Sequence, residues 1–313
     1  MEVRVIRAGQ FTTLQDLGRR GFRAVGVPRS GAMDEFALRT ANLLVGNTPE
    51  AVALEFAFTG PELEFTEDAV VALTGAECDG VASWRPRRIQ AGETVRVGPC
   101  RKGRYGYVAV SGGFTVRQVL GSGSTYVRAG FGGQEGRVLR DGDRLHAGGG
   151  VFAIDERWSI DERILPGYTP TPTLRTIRGG QAGEFGAAFW AEEFIVQPQS
   201  DRMGVRLGGP KIERSDADDL LSTAVGPGTI QVPPDGQPIV LMADAQTLGG
   251  YPQIGHVIRV DWPILAQLRP GDRVRFTETT VDEAHRLWLA RERAFGLLRE
   301  GLGLKRRQGG EGR

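Results

Sequence analysis

Followed by hydrophobic and polar position alone, most of the chain alternates with a period of two, in runs of about five to eight residues broken by Gly, Pro and Asp. Alternation of that period sets one face of a strand on a core and the other in water, and short runs closed by tight turns predict an antiparallel sandwich or barrel. Two stretches change period. Ala37, Ala41, Leu44 and Val45 form a helical stripe, with Asp34 placed to cap its start and Gly46-Asn47 to end it. A second helix is predicted from Asp282 to Arg299, with Ala284, Leu287, Trp288, Phe295 and Leu298 on its apolar side. Leu304 to Arg313 is polar, basic and Gly-rich, so residues 301–313 read as a disordered tail.

The pattern also repeats. RVIRAGQ (Arg4 to Gln10) returns as RTIRGGQ (Arg175 to Gln181), and FTGPELEF (Phe58 to Phe65) has a weaker counterpart in RLGGPKIE (Arg206 to Glu213). One kind of tight turn feeds an alternating strand in AGETVRV (Ala91 to Val97), DGDRLHA (Asp141 to Ala147) and PGDRVRF (Pro270 to Phe276). Such echoes, in a similar order, point to an internal duplication. A chain of 313 residues suits two domains. The TPTP run within Asp155 to Thr173 reads as a semi-stiff linker between them. The expected domains are 1–160 and 161–300, the second opening on a strand at Leu174.

Composition narrows the function. A net charge of +1 with 25% charged residues makes no basic field, which argues against nucleic acid as a partner. No run of about 18 apolar residues occurs, and the first residues enter a strand pattern directly. The expectation is a soluble, cytoplasmic protein with neither membrane span nor secretory signal. Cys78 and Cys100 sit apart without a CxxC pattern and read as buried thiols, and His146, His256 and His285 are scattered, so no metal site is predicted. None of Lys102, Lys211 and Lys305 follows a glycine, so the GK of a phosphate-binding P-loop is absent. None lies between two methionines either, so biotin is not expected to be attached to this chain.

Candidate chemistry gathers where packing gives no account of the residues. Between an apolar run at Ile239 and a second at Val257 to Val260 stand Asp244, Gln246 and Thr247, then the turn Gly249-Gly250-Tyr251-Pro252. Paired glycines let the backbone approach a ligand closely, and the uncharged polar groups beside them suit a small polar molecule under a Tyr251 lid. The alternative is an ordinary Gly-rich hairpin turn. In QDLGRRG (Gln15 to Gly21), Asp16 and Arg19 either brace a loop as an ion pair or offer a guanidinium fork to an anion. Ser30 and Gly31 precede a helix start, where backbone N–H groups favour anions. Asp201 and Arg202 are adjacent, so on a strand one side chain can face a site and the other a structural partner. The loop Gly121 to Arg137, with Ser122, Ser124 and Thr125, superficially suggests phosphate binding, but without a GK or a βαβ context it reads as a flexible lid or interface loop. Sparse His and Cys permit no Ser-His-Asp or Cys-His arrangement, so amide chemistry here rests on carboxylates, Tyr or Gln, or on activation from outside.

Four blocks in order carry a family resemblance: TTLQDLGRRGFRAVGVPRSGAMDEFALRTANLLVGN (Thr12 to Asn47), SDRMGVRL (Ser200 to Leu207), PGTIQVPPDGQPI (Pro227 to Ile239) and DAQTLGGYP (Asp244 to Pro252). The chain resembles the 5-oxoprolinase C-subunit family, also called the KipA or allophanate-hydrolase-subunit-2 family, up to about Ala290. Gly121 to Thr125 also resembles the family's G-S-x-S-T block. The resemblance implies a mainly β fold of two tandem cyclophilin-like β-barrel domains with a few helices. It implies one component of an ATP-dependent complex, with an A-subunit and a KipI-type B-subunit, that opens the lactam of 5-oxo-L-proline to L-glutamate. Phosphorylating an amide oxygen turns a poor electrophile into a good one, and ATP is expected to bind in a non-standard site or on a partner. Relatives fused into urea amidolyase imply an alternative: a carboxyltransferase acting on urea or a similar amide, with carboxybiotin from a partner chain. KipA-type proteins imply another, a regulatory module that antagonises a kinase inhibitor. The pocket is expected in the second domain, with Asp201, Asp244, Gln246, Thr247 and Tyr251 as catalytic candidates. Arg19, Asp16, Ser30, Arg202, Gly249 and Gly250 are the substrate-binding candidates, and Arg19 is expected to reach in from the first domain. One departure stands at Thr223, where the family often carries an acidic residue after LLS (Leu220 to Ser222).

Overall fold

The computed structural model describes residues 1–150, 154, 158–215 and 220–310. The chain forms two compact units that are discontinuous in sequence. The first comprises Met1–Arg19, Ser30–Leu165 and Arg293–Arg313, and the second Arg20–Arg29 and Pro166–Glu292.

In the first unit the alternating runs become two five-stranded sheets. One is ordered Thr94–Arg96, Glu62–Phe65, Glu2–Arg7, Arg144–Ala147, Phe114–Thr115; the other Thr13–Gln15, Ala53–Ala57, Cys100–Val110, Ala69–Cys78, Arg85–Ile89. Their inward residues share one core, with Val3, Val5 and Leu63 from the first sheet meeting Leu54, Phe56 and Val108 from the second. The helix Glu35–Leu44 packs on the second sheet, where Thr74 Oγ1 donates to Ala37 O at 2.7 Å.

The second unit closes. Its barrel runs Thr173–Arg178, Gln253–Val257, Thr229–Gln231, Ile239–Leu241, Gly204–Gly208, Phe194–Val196, Arg273–Glu278, and a parallel pairing of the last with the first seals it. Leu174, Ile230, Val240, Ile254 and Phe276 fill the interior, and Phe189 stacks on Phe276 with ring centres 4.8 Å apart. A short ribbon, Thr223–Ala224 against Leu248–Gly249, lies outside this barrel order. The fold is mainly β. Among the described residues the second unit makes a continuous closed ladder, and in the first hydrogen bonding splits between two sheets that share a core.

The repeated turns are one structure used three times. Gly92, Gly142 and Gly271 all take φ between 83° and 93°, the left-handed region that a side chain strains to enter. The acid after each glycine then accepts from the amide three residues back: Glu93 from Gln90 N at 3.0 Å, Asp143 from Arg140 N at 2.8 Å and Asp272 from Arg269 N at 2.8 Å.

Two expectations change. The C-terminal helix runs Val281–Gly310, so residues 301–310 are helical where a disordered tail was expected. Leu302 is buried there, and an apolar residue taken from water holds a segment that composition alone reads as loose. Residues 311–313 lie outside the described residues, as do 155–157 at the start of the expected linker. The segment 20–29 belongs to the second unit, where the Arg23 guanidinium donates to Val225 O.

Candidate functional site

The polar segment after the strand Ile239–Leu241 folds into a network of neutral amides. Gln231 and Gln253 stand opposite each other on paired strands, and both hold the ribbon outside the barrel. Gln231 Nε2 donates to Tyr251 O at 3.2 Å and Gln231 Oε1 accepts from Gln246 Nε2 at 3.4 Å. Gln253 Nε2 donates to Thr223 Oγ1 at 2.8 Å, and Gln253 N to Gln181 Oε1 at 3.0 Å. A Cβ on Gly249 would lie 2.7 Å from Gln231 Nε2, so a side chain here would push the Gln231 carboxamide aside. Gly250 lies beside Ser222, whose Oγ would be 3.5 Å from a Cβ there. Tyr251 is 47% exposed, Leu248 60% and Leu221 89%, which leaves an apolar rim around carboxamides. Thr247 is buried, and its carbonyl accepts from Val225 N at 3.0 Å.

The charged candidates here act as braces. Arg202 Nε and Nη2 donate to Asp244 Oδ2 and Oδ1 at 2.8 and 3.1 Å, a bidentate pair with both side chains at most 9% exposed. Both Asp244 oxygens are held by Arg202, so these two candidates brace each other. Their backbones are joined too, Asp244 N donating to Arg202 O at 2.9 Å. Asp201 is exposed. Its Oδ1 accepts from Met203 N and Gly204 N at 2.8 and 3.2 Å, capping the turn that presents Arg202. Asp201 therefore keeps a carboxylate edge in solvent. His256, which sequence reasoning passed over, sits 3.3 Å by Nδ1 from Thr229 Oγ1. Burial pushes its pKa below the ordinary value, which favours the neutral imidazole.

The remaining candidates belong to the first unit and make a different structure. Asp16 Oδ1 accepts from Ser122 Oγ, Ser124 Oγ and Gly18 N at 2.7, 2.5 and 2.7 Å, while Oδ2 accepts from Gly123 N at 2.6 Å. Arg19 is 1% exposed; it donates to Ser124 O, and its guanidinium lies 4.8 Å from the Phe131 ring centre. The couple braces a loop, as one of its two expected readings has it, through hydroxyls, amides and a carbonyl. Asp16 is bonded to hydroxyls and amides, and Arg19 to a carbonyl, so the two together clamp the loop Gly121 to Arg137. Ser122, Ser124 and Thr125 are wholly buried, which makes that loop an anchored element instead of a flexible lid.

At the helix start, three backbone donors after Ser30 and Gly31 have partners within the protein. Met33 N donates to Glu55 Oε2, Asp34 N to Tyr107 Oη and Ala37 N to Asp34 Oδ1, at 2.8, 2.7 and 2.9 Å. These donors are answered by the protein's own acids and phenol. Burial raises the Tyr107 pKa well above its ordinary value, keeping the phenol a donor, and it donates to Glu55 Oε2 at 2.7 Å. Ser30 is buried at φ 53°, and its Oγ has no hydrogen-bond partner among the described residues.

A concavity of about 280 Å³ opens at the other end of the strand Ile239–Leu241, lined by Gln197, Gln199, Arg206, Asp235, Gln237 and Pro238. Sequence reasoning singled out none of these as a site. Among the described residues no His, Cys, Asp and Glu group is arranged to hold a metal, and no helix is long and apolar enough to cross a membrane.

Comparison with known proteins gives this arrangement a class. A model of the carboxyltransferase domain, subdomain A and B, matches residues 25–278. Two solved Kluyveromyces lactis structures share the fold at a TM-score of 0.86. Urea amidolyase is 27% identical over 94% of this chain and 20% of its own, and urea carboxylase 28% identical over 94% and 29%. Fold and match define a protein of the carboxyltransferase-domain class. The chain is 41% identical over 303 residues to the 5-oxoprolinase C-subunit of Escherichia coli K12, covering 94% of this chain and 96% of that protein. It is 39% identical to the 5-oxoprolinase C-subunit of Haemophilus influenzae, over 88% and 90%. The chain belongs to the 5-oxoprolinase C-subunit family.

Proposed function

We propose that this chain is the C-subunit of an ATP-dependent 5-oxoprolinase, which opens the lactam of 5-oxo-L-proline to L-glutamate together with an A-subunit and a KipI-type B-subunit. The observation that carries this reading is 41% identity sustained over 96% of the E. coli protein. The longer urea-processing chains are matched over far smaller shares of their length.

The amide network of the second unit supports the same substrate class. A lactam presents one N–H donor and one C=O acceptor. Carboxamides and a glycine backbone answer both, without the desolvation cost of a buried charge. In this reading Gln246 and Thr247 orient the reacting amide, Gly249 and Gly250 let it lie against the backbone, Tyr251 covers it and Asp201 takes the proton-handling role. ATP supplies activation of the amide oxygen in the assembled complex; this chain's own part is to bind and orient.

The test is reconstitution. Mixed with its two partner proteins, the chain should yield glutamate from 5-oxoproline in an ATP-dependent manner, and full activity without this chain would overturn the proposal. The carboxyltransferase match favours a second reading, transfer of a carboxyl group from carboxybiotin on a partner to urea or a similar amide. Carboxylation of urea with an added biotinylated carrier, and no turnover of 5-oxoproline, would decide for it.

A further inference from the structure

The two cysteines, 22 positions apart in sequence, are direct partners across two strands of the first unit. Cys78, at the end of Ala69–Cys78, stands opposite Cys100, at the start of Cys100–Val110, with the Sγ atoms 2.9 Å apart. Cys100 N donates away from Cys78, to Phe58 O at 2.7 Å, while the neighbouring Asp79 N donates to Pro99 O at 3.1 Å. Cys78 and Cys100 are therefore a non-hydrogen-bonded antiparallel pair, the kind whose Cα atoms approach to about 4.5 Å. That spacing lies within the range a disulfide spans. Cys100 is buried and Cys78 half-buried, so one thiol can meet a solute while the other waits directly behind it.

We propose that Cys78 and Cys100 form an oxidation site, at which a peroxide closes an intramolecular disulfide between the strands Ala69–Cys78 and Cys100–Val110. Cys78 Sγ attacks one peroxide oxygen, the O–O bond breaks, and a sulfenic acid forms as the first water leaves. Cys100 Sγ then attacks Cys78 Sγ; the S–S bond forms, and the hydroxyl leaves as the second water with the Cys100 proton. Two thiols lose two electrons and one peroxide becomes two waters. The Cys100 contact and burial both hold the Cys78 thiol well above its ordinary pKa, with Asp79 and Glu77 adding to the effect. Those acids are themselves paired, Glu77 with Lys102 at 3.3 Å and Asp79 with Arg101. A thiol held protonated reacts slowly, so the site is a stoichiometric staple on the sheet and not a turnover centre for peroxide.

The experiment uses the purified full-length chain and hydrogen peroxide, followed by denaturation, thiol alkylation and mass spectrometry. The expected result is a monomer lighter by two hydrogens, with neither cysteine open to alkylation and a linked peptide joining Cys78 to Cys100, all reversed by a reductant. Thiols that both remain alkylatable, a Cys78 sulfinic acid without cross-link, or a disulfide between two copies would overturn the proposal. Cys78→Ser and Cys100→Ser should each abolish the two-hydrogen loss. Either variant retaining that loss would assign it to another site and sink the idea.

Discussion

Gln246 and Thr247 differ from Arg202 and Asp244 in what their removal should cost. The charged pair is buried and bidentate, and breaking such a pair from one side costs about 3–5 kcal/mol because the remaining group loses its buried counter-charge. Its loss would be read in stability. Gln246 has one long hydrogen bond, to Gln231, and Thr247 stands at a ribbon edge. If both are turn residues alone, Gln246→Ala with Thr247→Ala should cost only about 1–2 kcal/mol and leave turnover intact. If they orient the reacting amide, the rate should fall by roughly 100-fold or more with the fold unchanged. The reconstituted double variant, assayed for glutamate and checked by thermal unfolding, separates the two. Near-normal turnover would remove the ribbon from consideration as the site.

At the scale of elements, the loop Gly121 to Arg137 owes its place to one carboxylate. Asp16 gathers two serine hydroxyls and two backbone amides, and hydrogen bonds to a charged group are worth about 1.5–3 kcal/mol each before context is counted. Asp16→Ala should strand those donors in a buried place and destabilise the first unit by about 3 kcal/mol or more. Asp16→Asn, which keeps an acceptor oxygen, should recover part of it. A urea series read by fluorescence checks both, and an unchanged midpoint for Asp16→Ala would show that the clamp carries little energy. Local pattern had marked both halves of this clamp, the QDLGRRG block and the GSGST block, yet nothing in either announced the other. Hydrogen bonding across 106 residues leaves no trace in spacing.

At the scale of the whole molecule, each unit takes its own part of the last helix. Trp288 lies under the Arg259 guanidinium, 4.1 Å to the ring centre, in the second unit. Phe295, 3% exposed, packs 6.1 Å from Phe36 and 3.8 Å below the Arg39 guanidinium in the first. Phe295→Ala should therefore cost about 3–5 kcal/mol, the usual range for deleting a buried aromatic ring. An exposed-face control, Leu297→Ala, should lie within about 0.5 kcal/mol of the parent. Denaturant unfolding of both variants checks this, and equal midpoints would mean that the helix contributes nothing to the first unit's core. The apolar stripe with Phe295 in it was legible in the sequence, because a period of 3.6 is a local property. The helix's extension to Gly310 was not, because the burial of Leu302 that accompanies it depends on a surface folded elsewhere.

What the sequence by itself determined is the part of the structure that short-range physics writes. Alternation made the strands, the glycine followed by an acid made the same turn three times, and Asp34 capped its helix. Family blocks likewise picked out the segment Gln246 to Tyr251, within which Leu248–Gly249 forms one strand of the ribbon. Only the tertiary structure decided which partner each polar group took. Asp244 went to Arg202, Asp16 to serines 106 and 108 positions away and Cys78 to Cys100. The reason is register: which residues face each other across paired strands is set by how whole sheets align to bury their apolar faces, and no local run of residues contains that information.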